Sequence, residues 1–318
     1  DVHESIARIT YKLGNSTTLL RNHDVKPLVV NVFDVENNSY ATANVSFWVT
    51  TDAIHFRLDA VNRSQSDGNA TYWFAPDCDY LVGPAYWPQH WFAGVADSCY
   101  VDVNTSEMFD YWLIGWLHPS VDGTRNETLG LETVFLRGEN VTVNASLRDE
   151  CGMPVENAAV NLTFIHESGA TYRCSPVIDL GNGNYSCEYN TSSMKARWYN
   201  ISMEVSKQPW YVDNSTLRSE PSTGSSPYGA LFIETKPVLS IIKVNTSTYD
   251  GDDSNVGGYS EVFNFSVRVT DEDGDPVKVY IYYRKWDDVS KSWEDWKPLL
   301  ATSTSSGTSG VNYAECSN

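Results

Sequence analysis

The chain has 318 residues, of which 41% are hydrophobic and 13% aromatic, and its formal charge is −19 at pH 7. That length suits two or three domains with a core each, and the apolar content excludes intrinsic disorder as the description of the whole chain. The negative charge repels phosphate backbones and anionic lipid, so we expect no nucleic-acid partner and no electrostatic docking to membranes.

The chain also lacks the sequence signals of a membrane protein. No apolar run approaches the roughly 18 residues of a membrane-spanning helix, and Asp1 is not followed by a signal-like apolar core. We interpret the sequence as a mature, secreted, extracellular chain or a part of a longer one. Its 11 Trp and 19 Tyr favour strands over helices.

The first 22 residues contain one alternating segment. Ala7, Ile9, Tyr11 and Leu13 lie on one face of this segment, and polar residues separate them before a glycine. This period of two predicts a β-strand. The strand either begins its own domain or is donated to a neighbouring subunit, as in donor-strand pili.

A pattern of strand, acidic Gly/Pro turn and strand occurs three times, at a spacing of roughly 115 to 130 residues. The three copies lie at 29–49, 140–164 and 263–283. In the middle copy, further alternating segments bring the total to seven short strands in about 105 residues. This number of strands at this spacing indicates an immunoglobulin-like sandwich.

The Cys, Trp, Cys spacing of antibody domains is absent. With its acidic turn at 271–276, the repeat resembles the immunoglobulin-like modules found in tandem in surface glycoproteins of bacteria and archaea. The resemblance implies an all-β fold of tandem immunoglobulin-like β-sandwich domains. We place an N-terminal strand segment at 1–22 and domains at 23–120, 121–236 and 237–318.

The third copy stops early. Its segment 310–316 resembles 183–187, which is only the fifth strand of the second copy. Two closing strands are therefore missing, and an open sandwich exposes unpaired edges. Either the sequence is one part of a longer protein, or a neighbouring subunit lends a strand, in which case copies join head to tail into an open filament.

Sixteen of the 24 asparagines begin an Asn-x-Ser/Thr triplet without proline, the acceptor signal for N-linked glycans in a secreted protein. The acceptors are Asn15, Asn37, Asn44, Asn62, Asn69, Asn104, Asn126, Asn140, Asn144, Asn161, Asn184, Asn190, Asn200, Asn214, Asn245 and Asn264. Covalent N-glycans are therefore expected.

Strand alternation predicts where these sugars point. In 140–147 the apolar residues occupy every second position, so the acceptors between them face outward. By the same alternation we expect Asn161, Asn200 and Asn264 to face solvent. A glycan on an outer face leaves the core undisturbed.

Six cysteines fit an oxidising compartment, and none has the Cys-x-x-Cys spacing of a zinc or redox site. We predict two local disulfides, Cys78–Cys99 and Cys174–Cys187, each bracketing a hairpin-like stretch. Cys151 and Cys316 are left over. They pair with each other, or Cys316 pairs with a cysteine outside this sequence.

No catalytic motif is present, and the six histidines are scattered, so we expect no enzyme. No cofactor is required, and Ca²⁺ is the candidate ligand, with solvated acidic loops as the alternative. One candidate calcium loop has oxygen ligands at positions 1, 3, 5 and 12, which are Asp250, Asp252, Ser254 and Glu261. A second oxygen-rich turn contains Asp271, Asp273 and Asp275.

Tryptophans raise a second possibility. Trp286, Trp293 and Trp296 could form a stacking platform for sugars on a hairpin, or pack across strands as Trp commonly does. For Trp91 and Trp198, which fall in comparable strands, we expect a structural role.

The sequence thus predicts a glycosylated structural protein, a subunit of a surface filament, pilus or surface layer whose partners are copies of itself. The alternatives are an adhesin or carbohydrate-binding region of a larger secreted protein, with glycans as partners, and the non-catalytic part of an extracellular hydrolase.

Overall fold

The computed structural model describes residues 5–126, 130–131, 133–219, 229–246, 263–274, 276–287, 289–300, 303–304 and 311–317. Over these residues the chain is all-β, with two 3₁₀-helices, Pro84–Tyr86 and Thr191–Ser193, and no α-helix. Its strands form packed sheets, and the predicted immunoglobulin-like sandwich fold is confirmed. No helix in the described ranges is both long and apolar enough to cross a membrane.

The first sandwich, here called unit 1, contains ten strands. They are β1 (Ala7–Leu13), β2 (Thr17–Leu20), β3 (Lys26–Asp34), β4 (Ser39–Tyr40), β5 (Asn44–Thr50), β6 (Phe56–Arg63), β7 (Asn69–Phe74), β8 (Gln89–Val95), β9 (Val103–Asn104) and β10 (Phe109–Asn126). One sheet joins β1, β3, β4 and β7. The other joins β6, β5, β8 and the first half of β10, with β9 beside β8 and β2 parallel to β10.

In the part of the second sandwich, unit 2, that the structure describes, the second half of β10 is joined by eleven further strands. They are β11 (Gly130–Leu131), β12 (Val134–Leu136), β13 (Asn140–Asp149), β14 (Ala159–His166), β15 (Thr171–Cys174), β16 (Val177–Gly181), β17 (Asn184–Asn190), β18 (Arg197–Ser206), β19 (Tyr211–Val212), β20 (Asn214–Arg218) and β21 (Leu231–Glu234). One sheet has the order β16-β17-β13-β10, and the other β12-β21-β18-β14-β15. In β13 the apolar residues are buried in alternation, as predicted.

Unit 3 contains eight strands among its described residues. They are β22 (Val238–Thr246), β23 (Phe263–Thr270), β24 (Tyr280–Tyr283), β25 (Trp286–Asp287), β26 (Ser292–Trp293), β27 (Lys297–Leu300), β28 (Ser303–Thr304) and β29 (Val311–Ser317). One sheet has the order β22-β23-β29-β28, and two hairpins join β24 to β27 and β25 to β26. The backbone register repeats that of unit 2, because Cys316 lies opposite Phe265 as Cys187 lies opposite Val143.

Strand β10 makes units 1 and 2 continuous. It has 18 residues, which corresponds to about 60 Å of extended chain. Its first part pairs with β8 and β2, and the part from Leu117 to Arg125 pairs with β13. The expected boundary at 120/121 falls within this strand. One buried hydrophobic cluster runs from Ala7 in unit 1 to Ile233 in unit 2, whereas the described core of unit 3 is a separate cluster.

Strand β1 lies in the sheet of its own unit, paired antiparallel with β3. Ala7 and Ile9 are buried, and the ring centroid of Tyr11 lies 4.5 Å from that of Phe109. The strand-donor interpretation of Ala7, Ile9, Tyr11 and Leu13 is therefore corrected: these residues form the first strand of unit 1. The physical reason is that its apolar face completes the core of unit 1, although Leu13 is exposed.

Candidate functional site

A buried arginine closes the junction between units 1 and 2. Arg21, in the turn after β2, is only 1% exposed. Its Nε donates to Glu150 Oε1 at 2.6 Å, its Nη1 donates to the carbonyl oxygen of Tyr80 at 2.9 Å, and its Nη2 donates to Asp149 Oδ2. Burial acts to lower the pKa of Arg21, but the hydrogen bonds to Glu150 and Asp149 outweigh it and raise the pKa. The guanidinium stays charged.

Both carboxylates also organise the backbone around them. Asp149 Oδ1 accepts hydrogen bonds from the backbone N–H groups of Cys151 and Met153, each at 2.9 Å. Glu150 Oε2 accepts from the backbone N–H of Trp116 in β10 at 2.8 Å. The turn after β13 is thus held on one side by its own strand and on the other by unit 1.

A disulfide crosses the same junction. Cys78, in unit 1, is bonded to Cys151 in the turn after β13, with the two Cα atoms 5.6 Å apart. The predicted Cys78–Cys99 bridge is therefore wrong, and Cys99 is free and exposed. The reason is topological: Cys78 follows β7 at the junction end of unit 1, whereas Cys99 follows β8 at the outer end, where its carbonyl oxygen accepts from the N–H of Ser5.

The second predicted disulfide is confirmed. Cys174 in β15 is bonded to Cys187 in β17. The two strands belong to opposite sheets of unit 2, so the bond crosses the sandwich, and both cysteines are buried.

The junction between units 2 and 3 is made by the turn after β23. Arg137 Nη2 forms an ion pair with Glu272 Oε1 at 2.6 Å, and this contact with the guanidinium holds the pKa of Glu272 below its usual range. The same oxygen accepts from the backbone N–H of Ala196 at 3.1 Å. The backbone N–H of Thr235, at the end of unit 2, donates to Asp273 Oδ2 at 2.6 Å.

The two junctions use the same turn of the repeat, which reads Asp-Glu-x-Gly-x-Pro at 149–154 and 271–276. In each turn the glutamate pairs with an arginine of the preceding unit: Glu150 with Arg21, and Glu272 with Arg137. Each arginine follows a short strand, β2 or β12, that pairs in parallel with the last strand of its unit, β10 or β21. The turn is recognisable in the sequence, but its arginine partners are not, because each lies more than 120 residues away from its glutamate.

Unit 1 carries its own version of this turn at its outer end. Strand β3 ends at Asp34, whose Oδ1 accepts from the backbone N–H groups of Glu36 at 3.0 Å and Asn37 at 2.9 Å. Asp34 is buried to the same degree as Asp149 and Asp271, at 4% exposure each. The strand-end aspartate is therefore common to all three units.

The calcium predictions have different outcomes. Asp250, Asp252, Ser254 and Glu261 lie outside the described residues, as does Asp275. In the second turn, Asp271 Oδ1 and Asp273 Oδ2 accept from Thr235 Oγ1 at 3.3 and 3.1 Å, so these two carboxylates are buried in a junction, which corrects the interpretation of a solvated loop. In the described ranges, no three His, Cys, Asp or Glu side chains are grouped to hold a metal ion. Calcium binding stays a prediction.

Most acceptor asparagines with a described side chain are accessible. Eight are exposed, namely Asn15, Asn37, Asn44, Asn104, Asn140, Asn184, Asn190 and Asn214. Four are half-buried, namely Asn62, Asn69, Asn144 and Asn161. The side chains of Asn126, Asn245 and Asn264 lie outside the described part.

Asn200 contradicts the alternation argument. It is 7% exposed, and its Oδ1 has no hydrogen-bond partner in the part of the chain that the structure describes. Its neighbours Tyr199 and Ile201 are also buried, so both faces of β18 are covered at this point. The strand lies inside its sheet, between β14 on one side and β20 and β21 on the other. The expectation that Asn200 faces solvent is therefore wrong.

Unit 3 presents an exposed aromatic cluster, here called the aromatic hairpin (276–287 with 289–300). Trp286 in β25 faces Trp293 in β26, with ring centroids 5.4 Å apart at 75°. The guanidinium carbon of Arg284 lies 4.7 Å from the ring centroid of Trp293 and 4.6 Å from that of Trp296. All three indoles are exposed. By contrast, Trp91 is fully buried in unit 1.

The comparisons with known proteins concern the fold alone. No family model matches the chain, and no curated protein matches its sequence. The chain is similar to a tetra-tandem repeat in the extending region of a large adhesion protein, with 12% identity over 99% of this chain and 66% of that one, at a TM-score of 0.34.

It is also similar to invasin, a bacterial integrin-binding protein, with 11% identity over 97% of this chain and 53% of that one, at a TM-score of 0.41. A 1.5-MDa bacterial ice-binding adhesin gives 10% identity over 99% of this chain and 88% of that one, at a TM-score of 0.28. The chain thus spans about two thirds of the adhesion-protein repeat and about half of invasin.

Proposed function

We propose that the chain is an N-glycosylated structural segment of an extracellular surface filament or surface layer, whose copies join end to end, and that it has no catalytic role. The observation that carries the proposal is the repeated junction. The same acidic turn meets an arginine of the preceding unit at both places where units join. A chain that uses its charged side chains to join units in series is suited to bearing load.

Units 1 and 2 are expected to move as one body. Domains of one chain move relative to each other unless their interface is large and hydrophobic. Here a shared hydrophobic cluster, strand β10 and the Cys78–Cys151 disulfide all cross the interface. This construction supports a rigid spacer.

One feature offers a contact to another copy. In unit 3, β22 is an edge strand of its sheet, and it exposes four aliphatic side chains, namely Val238, Leu239, Ile241 and Ile242. An exposed apolar edge strand is a template for pairing with another chain, so β22 supports assembly through β-strand contacts.

The acceptor asparagines fit this role. Eight of them are exposed over units 1 and 2, and glycans there would shield the sheet faces from proteases and from unwanted lateral contacts. Assembly would then be restricted to surfaces without sugar.

The test is the association state of the purified, glycosylated chain by sedimentation velocity and electron microscopy. We expect linear multimers whose population rises with concentration. Ile242→Lys should raise the concentration needed for half-assembly at least about tenfold, because a lysine on an edge strand opposes pairing. Ile54→Lys is the matched control, since Ile54 is 72% exposed and Ile242 is 76% exposed.

Two results would overturn the proposal. The first is a wild-type chain that stays monomeric at all concentrations and appears as single particles in native material. The second is an equal loss of assembly in the Ile242→Lys and Ile54→Lys variants, which would show that the effect is not specific to the edge of unit 3.

A further inference from the structure

We propose that the aromatic hairpin of unit 3 is a binding site for an anionic sugar, a pyranose oligosaccharide that carries a carboxylate or sulfate group. This inference is independent of end-to-end assembly, because it rests on other residues and another surface.

The hairpin exposes a large area of aromatic ring. Soluble proteins rarely leave a contiguous group of large apolar side chains in water without a function. On this hairpin six aromatic side chains are exposed, namely Tyr280, Tyr282, Tyr283, Trp286, Trp293 and Trp296. Indole and phenol rings offer flat faces of the size of a pyranose ring, and they combine apolar contact with hydrogen bonding at their polar ends.

The indole rings of the hairpin are held in place by their neighbours. The guanidinium of Arg284 contacts both Trp293 and Trp296, and Trp293 also packs edge-on against Trp286. A planar guanidinium that stacks on rings keeps its N–H groups directed outward in its own plane. The indoles are therefore ordered before a ligand arrives, which reduces the entropy lost on binding.

Charge also favours an anion at this surface. The stretch 278–297 contains five Lys and Arg residues and four Asp and Glu residues, so it carries a net charge of +1, whereas the chain as a whole carries −19. Glu294 lies between Lys285 and Lys297, with Oε1 and Oε2 each 2.9 Å from an ammonium nitrogen. The carboxylate of Glu294 is thus shared between two ammonium groups. Among the residues that the structure describes, no carboxylate forms an ion pair with Arg284.

These charges select the ligand chemistry. The N–H edge of an arginine fits a carboxylate or sulfate with two parallel hydrogen bonds, while the adjacent indoles fit the apolar face of the sugar ring.

The sequence leaves this surface without sugar of its own. The last acceptor triplet begins at Asn264, and none occurs in the residues that follow. A covalent glycan would compete with a bound one for the same rings, so its absence here is what a sugar-binding surface requires.

A lipid surface is the competing partner. The exposed tip of the hairpin is Val289, but Asp287 and Lys291 lie within two residues of it. Burying such charges in the apolar part of a bilayer is costly. The hairpin therefore favours a water-soluble ligand, and membrane binding is one of the outcomes that the experiment separates.

The experiment titrates the whole glycosylated chain with three probes, using intrinsic tryptophan fluorescence and calorimetry. The probes are a trimer of galacturonic acid, a neutral galactose trimer and vesicles that contain an anionic phospholipid. We expect saturable binding of the uronate, at least about tenfold weaker binding of the neutral trimer, and no binding of the vesicles. Equal affinity for the charged and neutral trimers, or binding to vesicles alone, would overturn the proposal.

Variants locate the site. Trp296→Ala and Arg284→Gln should each weaken uronate binding about tenfold, which is the effect of losing one stacked ring or one charged contact. The matched controls are Trp73→Ala in unit 1, where Trp73 is 63% exposed against 58% for Trp296, and Arg8→Gln, where Arg8 also lies over an aromatic ring. Unchanged binding in both hairpin variants would contradict the assignment.

A measurement on the wild-type chain covers the case in which a hairpin variant does not fold. N-bromosuccinimide oxidises exposed indoles, and the sites of oxidation are read by peptide mass spectrometry. The uronate should protect Trp286, Trp293 and Trp296 from oxidation and leave Trp73 unprotected. Equal protection at all four positions, or at none, would refute the site.

Discussion

Replacing Arg21 with methionine tests whether the buried ion cluster holds units 1 and 2 together. Methionine fills a similar volume along the arginine stem but removes every donor to Asp149, Glu150 and the Tyr80 carbonyl. The two carboxylates then remain at the junction without a cation. Removing one partner of a buried ion pair costs about 3–5 kcal/mol, and we expect the free energy of unfolding to fall by that amount at neutral pH.

A second variant, in which the two carboxylates are neutralised as well, distinguishes the effect of unpaired buried charges from the effect of replacing Arg21 itself. Replacing a whole buried ion cluster by neutral groups is often close to neutral in stability, whereas breaking it is not. The triple variant Arg21→Met, Asp149→Asn, Glu150→Gln should therefore recover most of the loss. Its amide oxygens can still accept from the N–H groups of Cys151 and Trp116, which the carboxylates now bind.

The assay is urea and thermal unfolding of the whole chain with its disulfides intact. Units 1 and 2 share a core, so we expect one transition for both, with Tm lowered by on the order of 10 °C. Asp79→Asn is the control, because the ion pair of Asp79 with Arg57 is largely exposed and should contribute less than about 1 kcal/mol. The reasoning is refuted if the free energy of unfolding falls no more in Arg21→Met than in this control. It is also refuted if the triple variant is no more stable than Arg21→Met.

Three further predictions follow from the same structure. The double variant Cys78→Ser, Cys151→Ser removes a bond between residues 73 apart in sequence. Urea unfolding should show that the free energy of unfolding falls by about 4 kcal/mol, and a fall below about 1 kcal/mol would contradict this prediction. Peptide mass spectrometry of native material should find Asn44 glycosylated and Asn200 unmodified, and an occupied Asn200 would disprove its burial. Burial raises the pKa of Tyr211 to about 12, above the value of about 10 in an unfolded chain. Its contribution to stability is therefore complete below pH 10 and lost as the pH rises toward 12, so Tyr211→Phe should lose less stability than the wild type over that interval.

The sheets were predictable because local patterning determines them. The alternation in β13 identified its buried face, and the threefold repeat identified the equivalent strand β23 and its partner β29. Strand periodicity depends only on neighbouring residues, and a repeat supplies the same information several times. The immunoglobulin-like architecture could therefore be inferred before any contact between strands was known.

The junctions were not predictable in the same way. Arg21 meets Glu150 across 129 residues, and no local pattern distinguishes this arginine from one on the surface. The disulfide error has the same origin, since spacing favoured Cys99 while the fold brings Cys151 to Cys78. The prediction that Asn200 faces solvent was wrong because alternation shows which residues share a face of a sheet, but not whether that face is covered.

The Cys78–Cys151 bond has a mechanical consequence. When the chain is pulled from its two ends, the force passes directly from residue 78 to residue 151 through the sulfur atoms and bypasses the segment between them. That segment includes all of β10 and could otherwise lengthen the chain by about 250 Å. Forced unfolding is governed by the rate at which structure is lost. Even after unit 1 has unfolded, the intact disulfide keeps residues 79–150 from adding to the end-to-end distance. The protein therefore extends less under load than a chain without this bond.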